Sequence, residues 1–219
     1  MSAVAVALET STRAPSIAVR SGEQVARAQL DAGRSHAADL LPALERLLRS
    51  LGESPSSIGA VVAGTGPGSY TGLRVGIATA LGLARASGAR LLGVPSTDTL
   101  AFGHLRAGEQ AAVVLDARAR EFYFARYSRS AESLDVLDVP CVLERDALRS
   151  RLAPGELVFA DDDAVRAAGL EELGLELRSD ARPRAEDALD LALARAELGL
   201  VQAVEPLYLR AFAASSRKR

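Results

Sequence analysis

The densest chemical signal in the chain is Gly64-Thr-Gly-Pro-Gly-Ser-Tyr-Thr-Gly-Leu-Arg74. Runs of this kind can set backbone amides and a helix N-terminus against an anion. A phosphate-binding P-loop requires G-x-x-x-x-G-K-[ST]. Of the 26 basic residues only Lys218 is a lysine, so that loop is excluded. A dinucleotide fingerprint requires G-x-G-x-x-G and an acid about 20 residues later. Here Thr71 stands where the third glycine belongs, and no Asp or Glu occurs between Gly72 and Thr97. Two readings remain open: a generic anion nest, and close backbone packing along Gly72, Gly76 and Ala80, with Ala78, Gly82 and Ala86 as a second small-residue stripe. Each helical glycine costs about 1 kcal/mol relative to alanine, so packing must offset it.

The remaining reactive side chains are sparse. His36 and His104 lie far apart, which excludes an H-E-x-x-H zinc helix. His36 reads as a residue of a helix start and His104 as an ordinary surface residue. Asp98, after Val94-Pro-Ser-Thr, reads as a helix cap rather than a cation ligand. Cys141 is the one cysteine, which excludes an internal disulfide, and it reads as a small buried hydrophobe.

These residues must be positioned by a chain of 219 residues that is 48% apolar and 25% charged, enough for a large core. No apolar run reaches membrane-spanning length, and no signal peptide is readable, so a cytoplasmic protein is expected. A net charge of −2 supplies no general field for nucleic acid. Residues 3–8 and 16–20 read as strands around the polar turn Glu9-Thr-Ser-Thr-Arg-Ala-Pro15, with a third strand near 23–30. Ser35 opens a helix with Leu40, Leu41, Leu44, Leu47, Leu48 and Leu51 at helical spacing, and Pro42 predicts a kink. A strand over 58–63, a helix from Thr71 to about Ser87 and a strand over 90–94 follow. The second half begins alike: 111–115 ends at Asp116, passes an Arg-bearing turn and enters 121–127, so an internal duplication is expected. Strands near 133–139 and 157–160, a helix over about 184–199 and a frayed basic tail, Ser215–Arg219, complete the reading.

Glu9-Thr-Ser11, Ser35-His36 with Leu40-Leu-Pro42, the Gly64–Arg74 run, Asp116-Ala-Arg118 with Glu121-Phe-Tyr123, and Pro206-Leu-Tyr-Leu-Arg210 together resemble the TsaB (YeaZ) family, in that family's order and over almost the whole chain. The resemblance implies an α/β fold of the duplicated actin/Hsp70-like (ASKHA) type, two lobes each built on a mixed sheet with helices. The first lobe is expected over 1–102, and a smaller second lobe over 103–219, its last helix packing back on the first.

The resemblance further implies a non-catalytic scaffold or activator subunit for tRNA N6-threonylcarbamoyladenosine modification. Its partners would be a TsaD-type catalytic paralog, a TsaE-type ATPase and a second copy of itself, with tRNA reached through the complex and no membrane involved. The implied docking face is His36, Leu40, Leu44, Leu47, Gly72, Arg74, Gly76 and Ala80. No catalytic residue, metal or resident cofactor is implied. Glu9, Thr10, Ser11 and Asp116 stand where this fold carries its nucleotide and magnesium ligands, which leaves an ATP or ADP with magnesium, bound here or shared at an interface, as an open role. The alternatives are an ASKHA-type nucleotide-binding enzyme or sensor and an M22-like metallopeptidase, a label once attached to the family. The stretch Val94–Ala101 carries no histidine, which argues against the peptidase.

Overall fold

The computed structural model describes residues 4–30, 36–200 and 202–209, with side chains omitted at 36–38. Ser35 and the tail Ser215–Arg219 therefore lie outside the described residues. Strands β1 (Val4–Glu9), β2 (Ser16–Ser21), β3 (Gln24–Gln29), β4 (Ile58–Gly64) and β5 (Arg90–Val94) form one sheet in the order β3-β2-β1-β4-β5. The first three strands form an antiparallel meander, and β1, β4 and β5 are parallel. Strands β6 (Gln110–Asp116), β7 (Glu121–Arg129), β8 (Leu134–Glu144), β9 (Leu157–Ala160) and β10 (Glu176–Arg178) repeat that plan in the order β10-β9-β6-β7-β8. Again the first three are antiparallel and the last two join in parallel. The helices repeat as well: α1 (His36–Ser50), α2 (Tyr70–Ser87) and α3 (Ser96–His104) in the first unit, α4 (Arg145–Arg151), α5 (Asp162–Ala168) and α6 (Ala185–Glu197) in the second. This is the duplicated two-lobed α/β fold expected.

Side-chain alternation along β1 explains the layers. Val4, Val6 and Leu8 point to a core shared with α1 and α2; Ala5 and Ala7 point to the opposite face, where α6 lies. Alanine on that face lets α6, with Ala185, Ala188 and Ala192, approach closely. The second sheet mirrors this arrangement: Ala111, Val113 and Leu115 face α3, and Ala112 and Val114 face α4 and α5. Each unit's last helix thus lies between the lobes.

Several expectations shift. Helix α2 starts at Tyr70 rather than Thr71, with the Ser69 hydroxyl accepting from Gly72 N. Strand β8 runs past the expected 139 to Glu144, because Val139–Pro140 form a bulge on an edge strand, where proline's missing donor is tolerated. Helices α4 and α5 escaped the reading, and α3 entered it only as the helix that Asp98 would cap; at seven to nine residues they span too few turns to show a period. Among the described residues, no helix is long and apolar enough to cross a membrane.

Candidate functional site

Glu9 ends β1 and is 1% exposed. Its Oε1 accepts from Ser11 N at 2.7 Å, and its Oε2 lies 2.8 Å from Ser96 Oγ. Gly64 stands so close behind it that a Cβ there would collide with the carboxylate. Burial pushes the Glu9 carboxyl above its ordinary range, against the lowering effect of its hydrogen bonds. A carboxyl enclosed in this way forms the turn and cannot reach a cation in the cleft. Asp116, its counterpart at the end of β6, makes the same i+2 turn bond, Oδ1 accepting from Arg118 N at 3.0 Å, yet it lines the cleft. The duplicated acids share a backbone role and differ in access.

Thr10 and Ser11 are both buried, and Thr10 spends its hydroxyl on α2, whereas Ser11 spends only its backbone carbonyl and its hydroxyl has no hydrogen-bond partner among the described residues. Thr10 Oγ1 donates to Gly72 O at 2.8 Å, and Ser69 N donates to Ser11 O at 2.7 Å. A Cβ at Gly68 would collide with Ser11 O, at Gly72 with Thr10 O, and at Gly76 with Thr10 Oγ1. Of the two readings of the glycine run, close packing describes what Gly72, Gly76 and Ala80 do. The docking assignment of these three residues is corrected accordingly: they are buried against the first-strand turn and the core of their own lobe. Leu40 and Leu44 are corrected for the same reason, since the side of α1 that faces β2 and β3 needs them as core, and Leu47 is half-buried beside them. The side chain of His36 lies outside the described residues. Among the described side chains of the expected set, Arg74 alone is exposed, its Nη1 3.2 Å from Tyr70 Oη.

What α1 and α2 do present outward was missed. Leu41 is 52% exposed and Leu81 48%, and Ala78, Gly82 and Ala86 flank Leu81 on α2. These belong to the second small-residue stripe. Periodicity marked both stripes, and only the position of the sheet distinguishes them.

Between the lobes lies a cleft of about 760 Å³, lined by Ser11, Arg13, Gly68–Thr71, Asp116, Arg118, Asp161–Asp163, Arg166 and Tyr208 among others. A magnesium nucleotide, the role the resemblance left open, would have to be held by these residues. The second-lobe wall presents four carboxylates, and three of the arginines lining the cleft pair with them: Arg13 and Arg166 with Asp163, Arg118 with Asp116. Asp161 caps α5 through Ala164 N, and burial raises its pKa. With Glu9 enclosed and the Thr10 hydroxyl tied to α2, the first-strand turn offers the cleft Ser11 and no carboxylate, which does not fit that group. Among the described residues, no set of three His, Cys, Asp or Glu is placed to hold a metal.

Where α3, α6 and β7 meet lies a network with no local signal in the sequence. Asp98 is 5% exposed on its side chain; its Oδ2 pairs with Arg195 Nη2 of α6 at 2.7 Å, and its Oδ1 accepts from Tyr127 Oη of β7 at 2.8 Å. It is an interlobe ion-pair residue as well as a first-turn acid of α3. His104 is half-buried at the surface, with Nε2 3.2 Å from Arg182 O and its ring 5.6 Å from that of Phe159. Cys141 is half-buried rather than buried, packed against the second-lobe core, and its partial burial pushes its thiol pKa up.

Comparison with known proteins places this geometry among relatives. A sequence model of the TsaD family, described as tRNA N6-adenosine threonylcarbamoyltransferase, matches residues 5–162. The tRNA threonylcarbamoyladenosine biosynthesis protein TsaB of Escherichia coli (strain K12) is 33% identical over 217 residues, 94% of each chain. The protein of the same name from Haemophilus influenzae is 36% identical over 129 residues, 57% of this chain and 53% of its own. The solved structure of YeaZ from Pseudomonas aeruginosa superposes with a TM-score of 0.80 at 28% identity, covering 95% of this chain and 100% of that one.

Proposed function

The chain belongs to the TsaB (YeaZ) family, and from that membership we propose that it is the non-catalytic scaffold subunit of tRNA N6-threonylcarbamoyladenosine modification, docking a TsaD-type catalytic paralog. The observation that carries the reading is the enclosed first-strand turn. The acid and the threonine hydroxyl that could serve a nucleotide are consumed inside the lobe, Glu9 by Ser11 N and Ser96 and Thr10 by α2. The outer face of α1 and α2, with Leu41, Ala78 and Leu81, supplies the docking surface. Residues 5–162 match the TsaD family itself, so the paralog carries the same two helices, and two such chains can pair face to face about a pseudo-two-fold axis. The same symmetry supports self-association when the paralog is absent.

The test is co-purification of the tagged chain with the TsaD-type paralog from the same source, followed by tRNA modification with and without this chain. The expected result is co-elution, and modification that depends on the chain. Leu81→Glu and Leu41→Glu, folded by circular dichroism, are expected to lose co-elution. Modification at an undiminished rate without the chain would sink the proposal, as would a hydrolytic turnover that follows the purified chain.

A further inference from the structure

The geometry assigns Glu9 and Thr10 a second role, as positioning residues for the docking face: the turn after β1 sets the pose in which α2 presents its outer side. The inference rests on the docking reading above and identifies what controls that surface. Helix α2 has two sides with different duties. Its inner side carries Gly72, Gly76 and Ala80, and its outer side Arg74, Ala78 and Leu81. The first two inner positions meet backbone or hydroxyl oxygen of Thr10 so closely that any side chain would lift the helix. The Thr10 hydroxyl then ties the first turn to one azimuth through Gly72 O, and Ser69 N ties its start through Ser11 O. Thr10 and Ser11 have no freedom of their own, because Glu9 holds Ser11 N on one oxygen and Ser96 Oγ on the other. Ser96 N in turn donates to Gly66 O, within the glycine run, at 2.6 Å. The enclosure therefore runs from the end of β1 through the start of α3 and back to the loop that launches α2. A rotation of α2 by one residue, about 100°, would carry Leu81 off the outer face. A helix fixed before docking loses little freedom on binding, which favours affinity without adding a contact.

The experiment measures affinity of the full-length chain for the purified TsaD-type paralog by surface-immobilised binding, with melting temperature recorded in parallel. Gly76→Ala places a methyl against Thr10 Oγ1 and is expected to weaken binding about tenfold or more. Adding Thr10→Ala removes the colliding hydroxyl but also the bond to Gly72 O, so the double variant is expected to bind more tightly than Gly76→Ala alone while staying about threefold or more below wild type. Leu148→Ala, in the second-lobe core, lowers stability without touching α2 and is expected to bind as wild type does. If Gly76→Ala fails to fold, Thr10→Val serves instead; it keeps the volume, removes the bond to Gly72 O and is expected to weaken binding about threefold or more. Wild-type binding with unchanged affinity in Gly76→Ala or Thr10→Val overturns the positioning role, as does a double variant as weak as the single. Absence of wild-type binding overturns the docking reading and this inference with it.

Discussion

At the scale of single residues, Glu9 shows what enclosure does to an acid. Its carboxyl is raised from an ordinary value of 4.5 by burial. A group raised in the folded state contributes its full stability below the unfolded pKa, and that contribution is lost as pH rises through the folded pKa. Glutamine at this position mimics the neutral acid, its oxygen accepting from Ser11 N and its amide donating to Ser96 Oγ. Glu9→Gln is therefore expected to fold, and to gain on wild type as pH rises above 4.5, by up to about 1.4 kcal/mol per pH unit until the folded pKa is passed. Urea unfolding at a series of pH values from 4.5 to 8 measures this; parallel stability curves for the two proteins would refute it. The sequence placed Glu9 correctly at a strand end. It could not show which way the side chain turns, because Gly64 and Ser96, which enclose it, come from the end of β4 and the start of α3.

Helix α2 carries the argument at the scale of elements. Glycines four residues apart normally weaken a helix, and here Gly72 and Gly76 are retained because Thr10 occupies their space. Gly82 differs: a Cβ there meets nothing within 4 Å, and the residue is exposed. Gly82→Ala is expected to stabilise the fold by about 0.5–1 kcal/mol in denaturant titration; a loss of stability would mean that this part of the helix is covered. On α1 the apolar spacing was legible from Leu40 to Leu51, but it marks a stripe without saying what lies against each side. The sheet takes Leu40, Leu44 and Leu48, and Leu41 is left outside.

For the whole molecule, α3 and α6 join the lobes, and the Asp98–Arg195–Tyr127 network is the polar centre of that junction. Breaking a buried ion pair on one side leaves an uncompensated charge, so Asp98→Ala is expected to cost about 3–5 kcal/mol. Tyr127→Phe removes one phenol donor and is expected to cost about 1–2 kcal/mol. Chemical denaturation of both variants checks the order; an Asp98→Ala protein as stable as wild type would show that the lobes are held by apolar packing alone. The cleft mouth, in contrast, is bridged by Arg13 and Asp163, an exposed pair worth little in solution.

By itself the sequence determined what is local. Alternation and turn chemistry marked the paired hairpins ending at Glu9 and Asp116, and the matching sheet orders bear out the duplication they suggested. Lysine content excluded a P-loop, and glycine spacing left close packing as one of two readings. The tertiary structure decided the rest. Whether a small-residue stripe is buried or presented depends on which side the β1 turn occupies. Whether Asp98 caps, ligates or pairs depends on Arg195, 97 residues away. Such choices follow from how two sheets and two crossing helices come together, and periodicity along one segment carries no record of its distant neighbours.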